Sequence, residues 1–243
     1  IGFMALALVP LKDLVQAKTR LAGLLRPSER RALAQAMVED VLTVLTDHPD
    51  IEQVTLVSDD PGANLLASNY GVDCWPEYSL GARGLNAVIE RASARLLAAA
   101  DETLLVLHGD LPLLTTESIS RAMACQRASN GLVVGCDRHG RGTNLLAFKR
   151  TSVPQFCFGV DSCARHLASA RSKGVPAQVL QESGIALDVD EPDDLAEFMT
   201  SLNTQGGGHT SALLRATGLG ARVQLALATL LESDEPADKG RLS

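Results

Sequence analysis

The stretch "TLLVLHGDLPLL", residues 103–114, decides the class of fold. Its first residues run on without a charge, as a strand buried on both faces requires. Gly109, Asp110 and Pro112 then stop the run, so a single carboxylate is delivered to the strand's end. Runs of the same kind predict strands at 3–9, 54–58, 103–108, 131–136, 143–148 and 185–189. Between them the apolar period changes to that of a helix: Leu33, Met37, Val41 and Leu45 mark one over 28–47, and Leu85, Ile89, Ala92 and Leu96 another over 85–100. Helices are also expected at 116–129, 161–172 and 192–202, the last opening with Pro192, where a missing N–H costs nothing. Strands alternating with helices predict an α/β chain with a doubly wound, mostly parallel sheet and helices on both faces, a single domain over 1–202. Three glycines at 206–208 break the pattern, and 203–243 reads as a linker with a helical tail, one amphipathic helix over 210–232. Whether this appendage docks on the domain or joins two copies as a homodimer stays open.

Composition narrows the ligand. A net charge of −7 and a pI near 5.2 argue against a nucleic acid or a membrane surface as partner. With 46% hydrophobic residues the chain fills a sizeable core, yet no window approaches the ~18 apolar residues of a membrane span. "IGFMALALV" reads as a strand rather than a signal peptide, and a cytoplasmic location is expected. The five cysteines are odd in number and form no Cys-x-x-Cys pair, so no disulfide framework is expected. Cys163 and His166 have metal-ligand spacing but lack a second pair. His108 reads as a core residue, His166 as a helix surface group, and Trp75 as a packing residue. Ser162 has no nucleophile motif around it.

The acidic chain nevertheless begins with a basic loop. "VPLKDLVQAKTRL" (9–21) holds Lys12, Lys18 and Arg20, and residues 1–31 carry six Lys or Arg against two acids. A solvated face is the plain explanation. The loop follows the first strand, however, and ligands of open α/β sheets gather beyond the carboxyl ends of strands. Such charge suits a polyanion. Neither a P-loop nor a Gly-x-Gly-x-x-Gly turn is present, so phosphates would be held by side chains.

Acids and small residues fill the other strand ends. "IALDVDEPDDL" offers Asp188 and Asp190, two apart and so on one face of a strand. Together with Asp110 they form a set of oxygen ligands suited to Mg²⁺, which takes one or two protein carboxylates beside substrate phosphates. The structural alternatives are a helix cap for Asp190, turn amides for Asp188 and a simple turn for Asp110. "GARGLNAVIE" places Gly84 and Asn86 at a helix start, where Asn86 either reads a base edge or caps the helix. Thr143, Gly159, Asp161 and Ser162 complete the set, the last two where a helix welcomes an anion.

Seven segments in order, "PLKDL", "AKTRL", "GLNAVI", "HGDLP", "RGTNLL", "FGVDSCARH" and "LDVDEPDDL", resemble the 2-phospholactate guanylyltransferase family over roughly residues 3–200. The resemblance implies a Rossmann-like nucleotidyltransferase that joins GTP to 2-phospho-L-lactate, phosphoenolpyruvate or 3-phospho-D-glycerate in making the deazaflavin coenzyme factor 420. It further implies that Lys12 meets the nucleotide phosphates, that Asp110, Asp188 and Asp190 hold Mg²⁺, and that Thr143, Gly159 and Ser162 grip the acid. Lys18, Arg20, Gly84 and Asn86 are the further nucleotide-binding candidates, and Lys12 and Asp110 the catalytic ones. Val160 stands where family members often carry proline, with Cys163 close behind, and 203–243 has no recognised counterpart. A nucleotidyltransferase acting on molybdopterin or a sugar phosphate, and a non-catalytic nucleotide-binding subunit, are the other two readings.

Overall fold

The computed structural model describes residues 4–12, 14, 17–99, 102–202 and 208–233. The first residue of the first expected strand, the last of the helix expected to end at 100, and Gly206 and Gly207 lie outside them. Strands β1 (Ala5–Pro10), β2 (Ile51–Val57), β3 (Asp73–Trp75), β4 (Thr103–Leu107), β5 (Leu132–Cys136), β6 (Thr143–Phe148) and β7 (Ala177–Leu180) form one sheet in the order β3-β2-β1-β4-β6-β5-β7. Most pairings are parallel. Strand β6 alone runs antiparallel, to both β4 and β5.

Side chains alternate across the pleat and so feed two cores. Ala5, Ala7 and Val9 of β1 join α1 (Pro27–Asp47), α2 (Pro61–Tyr70) and α4 (Thr116–Ser129) on one face. Leu6 and Leu8 face α3 (Leu85–Ala99) and α5 (Ser162–Ser172) on the other. Both faces of the central strands are therefore dry, which is why their sequences lack alternation.

Strands β3 and β7 and helix α2 escaped the sequence. Strand β7 is an edge strand with every second residue exposed, too short and too polar to stand out. Helix α2 begins at "DPG", where Asp60 accepts from the N–H of Gly62 at 2.6 Å and Pro61 takes the first helical position. The other carboxylate oxygen of Asp60 accepts from the N–H of Leu14 at 2.6 Å, which ties the basic loop to this helix.

The expected strand 185–189 is not one. Residues Ser183–Ala186 form the short helix α6, and 187–190 run on extended outside the sheet. The run is apolar because Ile185, Leu187 and Val189 are buried. Its polar groups are satisfied by other means: the carbonyl of Ala186 accepts from the N–H of Arg138, and the N–H of Val189 donates to the carbonyl of Asp110.

The tail departs from a single helix. Helix α7 (Pro192–Ser201) is followed by α8 (His209–Ala216) and α9 (Leu219–Ser233), divided at Gly218, whose φ of 65° no helix continues. Leu214, Leu219 and Val223 enter a third core with Leu21, Leu33, Met37, Val189 and Phe198. The described part of the tail thus packs on its own chain. Its entry is fixed by Asp40 of α1, a buried carboxylate that accepts from the N–H groups of His209 and Thr210 at the start of α8. Gly208 sits above it at φ 105°, and a Cβ there would meet Asp40 Oδ1 at 2.6 Å.

Replacing Asp40 by alanine leaves two helix-start N–H groups without their partner. Asp40→Ala is expected to lower stability by about 1–2 kcal/mol in urea unfolding. An unchanged midpoint would show that α8 is held by its apolar contacts alone.

Candidate active site

Strand β1 lies between β2 and β4, and chain order reverses there: β2 and β3 are added on one side, β4 on the other. Loops leaving β1 and β4 consequently face each other across a crevice. A cavity of about 830 Å³ opens at this point. Lys12, Lys18 and Arg20 line it from the first loop, Asp110 from the end of β4, and Asp188 and Asp190 from the segment before α7. Thr143, Gly159 and Ser162 line it from β6 and the start of α5. Nine of the candidate residues therefore share one hollow.

Lys18 is its electrostatic centre. The residue is left-handed at φ 57°, in front of a short turn whose Leu21 is buried in the third core. Its Nζ donates to Asp110 Oδ2 and to Asp190 Oδ1, each at 2.6 Å. Burial alone would lower the lysine pKa, but the two carboxylates outweigh it and hold the ammonium above its usual range. Burial also pushes Asp110 up, and the Lys18 charge reverses this, leaving Asp110 below its ordinary value. Among the described residues Asp188 pairs with no such cation: burial first, and Asp110 next, raise its pKa, while Asn144 Nδ2 donates to it at 3.1 Å.

Asp190 does not cap α7, the structural alternative for it. Glu191 holds the cap position, and Asp194 accepts from the N–H groups of both Asp190 and Glu191. Arg138 pins Asp194 at 2.6 Å and also pairs with Glu197. Asp190 is thereby free to face Lys18. Arg20 reaches Glu191 at 3.0 Å on the exposed rim, a pair worth little in water.

The wall that carries Thr143 rests on a histidine that sequence reasoning placed on the surface. His166 is fully buried. The N–H of Cys157 donates to its Nε2 at 3.0 Å, so the ring proton sits on Nδ1, 3.1 Å from Thr143 Oγ1. Thr143 can then turn its own hydroxyl hydrogen to a ligand. Phe158 stacks edge-on between His166 and His108, with centroids 4.9 and 5.3 Å away. His108 lines the cavity rather than the core.

Asn86 is spent elsewhere. Its Oδ1 accepts from the N–H of Phe158 at 2.7 Å and its Nδ2 donates to the carbonyl of Phe158 at 3.3 Å. Instead of reading a base edge, it fixes the loop that presents Gly159. Gly84 at φ 83° lets the chain turn into α3, and Leu85 rather than Gly84 lines the cavity. Gly159 needs to be glycine, having φ 121°. Val160 beside it is 84% exposed at the mouth.

One disulfide joins Cys136 and Cys163, against the expectation of none. Their separation of 27 residues conceals that β5 ends where α5 begins, with Cα atoms 6.0 Å apart. A Cys163–His166 zinc pair is excluded here, since the sulfur is bonded and both ring nitrogens are engaged. Asn144 and His166 are the residues the sequence reading missed. A lone Asn inside the apolar run "TNLLAF" was the available signal for the first.

Residues 5–229 match the family model described as guanylyl transferase CofC like. This chain belongs to that family. The match includes α8 and most of α9, so the tail has a counterpart as far as residue 229. The CofC-like chain is 36% identical over 211 residues to a phosphoenolpyruvate guanylyltransferase of Conexibacter woesei, covering 86% of this chain and 94% of that one. It is 36% identical over 193 residues to the protein of the same name from Sphaerobacter thermophilus, covering 79% and 91%. Among solved structures it is similar to one described as a nucleotide-diphospho-sugar transferase from Desulfovibrio desulfuricans, with a TM-score of 0.75, 18% identity and coverage of 91% and 97%. A 4-diphosphocytidyl-2C-methyl-D-erythritol synthase follows at TM-score 0.57, 15% identity and coverage of 81% and 97%. The fold is thus that of nucleotidyltransferases. No helix among the described residues is long and apolar enough to cross a membrane.

Burial lowers the His166 pKa to about 4. The unfolded chain protonates this histidine near pH 6.5 and the folded one only near 4, so the unfolded state binds more protons in between. Stability from this residue is complete above pH 6.5 and lost as pH falls towards 4, on the order of 3 kcal/mol in all. An NMR titration should keep the His166 ring neutral at pH 5.5; a midpoint near 6.5 would place the ring in water.

Proposed function

We propose that this protein transfers the guanylyl group of GTP to a phosphorylated three-carbon acid and releases pyrophosphate, in the formation of factor 420. The reading is carried by one observation: three lysine or arginine side chains and three aspartates line a single hollow together with Thr143, Gly159 and Ser162. The name borne by the relatives favours phosphoenolpyruvate as acceptor. The acids 2-phospho-L-lactate and 3-phospho-D-glycerate carry the same two anionic groups on three carbons.

The residues fit Mg²⁺. Their donors are all carboxylate oxygens, the preference of a hard cation, and Asp110 Oδ1 is buried with no hydrogen-bond partner. Among the described residues no three acidic, histidine or cysteine side chains gather about one point as they stand. One or two carboxylates with substrate phosphates suffice for this ion. Asp110, Asp188 and Asp190 would hold it, and when bound it would neutralise phosphate charge in the departing pyrophosphate.

The rest falls to the chain. A phosphate monoester is largely dianionic at neutral pH, its second pKa being about 6, so the acceptor needs no base. An acceptor phosphate oxygen bonds to the α-phosphorus of GTP, the bond to the β-phosphate bridge breaks, and its electrons leave with pyrophosphate. Lys12, Lys18 and Arg20 receive the triphosphate and lower the repulsion between the two anions. The Thr143 hydroxyl, Gly159 and Ser162 at the positive end of α5 hold the acid, and the neutral His166 keeps Thr143 in place. Cytoplasmic location follows from these substrates, which are intracellular metabolites.

Asp110→Asn is expected to lower Mg²⁺-dependent pyrophosphate release by about 10²–10³-fold while the circular dichroism stays unchanged. Unaltered turnover would remove Asp110 from its role. A pyrophosphate assay crossing four nucleotides with the three acids, read by product mass, tests donor and acceptor together. Turnover only with a sugar phosphate or a pterin would replace this reading by another nucleotidyl transfer.

A further inference from the structure

Lys18 stands where a cation bound by the aspartates would stand. Asp110 Oδ2 and Asp190 Oδ1 both lie 2.6 Å from its Nζ, so they are no more than about 5.2 Å apart, twice that distance. The lysine side chain is only 6% exposed. It reaches this position from a left-handed backbone, a conformation that a residue with a side chain adopts only under constraint. An ammonium and a divalent ion cannot share the gap between the same two carboxylates.

We infer that Lys18 is a placeholder cation: in the empty enzyme its ammonium fills the gap between Asp110 and Asp190, excludes free divalent metal, and withdraws only when metal and triphosphate arrive together. The identity of the triphosphate rests on the guanylyl-transfer reading; the exclusion of metal does not. Metal alone would strip the buried ammonium of both its acceptors and leave it facing a like charge. A triphosphate alone would draw the lysine away and leave two bare carboxylates beside an anion. Only the pair replaces every lost contact, since phosphate oxygens accept from Lys18 while the ion takes over the acids. Metal and nucleotide should therefore raise each other's affinity to the same degree. Asp110 Oδ1, buried and without a hydrogen-bond partner, is an oxygen left over for such an ion.

The probe is Mn²⁺, whose binding to the nucleotide-free protein is read by electron paramagnetic resonance. Lys18→Met should bind it at least tenfold more tightly than the wild type, and Lys18→Gln should do likewise. Adding Asp110→Asn to Lys18→Met should abolish the gain. Equal affinity of wild type and both lysine variants overturns the placeholder, as does a gain that survives Asp110→Asn. Micromolar binding of Mn²⁺ to the nucleotide-free wild type also overturns it, and that measurement needs no variant to fold. None of these outcomes touches the guanylyl-transfer reading, which stands or falls on pyrophosphate release.

Discussion

The adjacency of β1 and β4 is the constraint on which the site depends. They pair in parallel from Ala5 with Thr103 to Leu8 with Val106, at the point where the strand order turns back. Parallel neighbours end on the same edge, so the loop that carries Lys18 and the turn that carries Asp110 emerge side by side. Ninety-two residues of chain separate these two groups, yet sheet pairing leaves them little choice but to meet.

Around that contact the protein spends much of its local structure on holding charge still. Asp60 caps α2 and also grips the basic loop at Leu14. Asp194 holds the backbone of Asp190 and is itself held by Arg138. Leu21 anchors the loop in the core that receives the tail. On the proposed reading the site brings two polyanions together and gains from such preparation, because side chains fixed beforehand lose no freedom when the ligands arrive. The tail contributes from a distance: α8 and α9 close the apolar surface of α1 and α7, against which the basic loop rests.

The opposite wall works through neutrality. A charged His166 would put a cation beneath Thr143 in a buried place, and burial prevents it. What remains is a ring with one donor and one acceptor, each committed. Asn86 acts in the same spirit on the next loop, its amide matched to the N–H and carbonyl of Phe158. These are neutral contacts that set shape, while the opposite wall supplies the field.

By itself the sequence determined the strands buried on both faces, the helices long enough to show their period, and the polar residues at strand ends. "TLLVL" followed by Gly-Asp is legible because unbroken apolarity and a stop are local properties. So was the gathering of positive charge before residue 31 in an acidic chain. The short edge strand β7, the helix α6 in place of a strand at 185–189, and the break at Gly218 depend on pairing and packing partners far along the chain, which local periodicity does not register. Only tertiary structure decided that Asn86 clamps a loop, that His166 is buried, that Cys136 meets Cys163, and that Lys18 lies between acids 92 and 172 residues away. A side chain's partner is set by where the sheet's edge puts it, and hydrogen bonds and ion pairs act over a few ångströms of space whatever the distance in sequence.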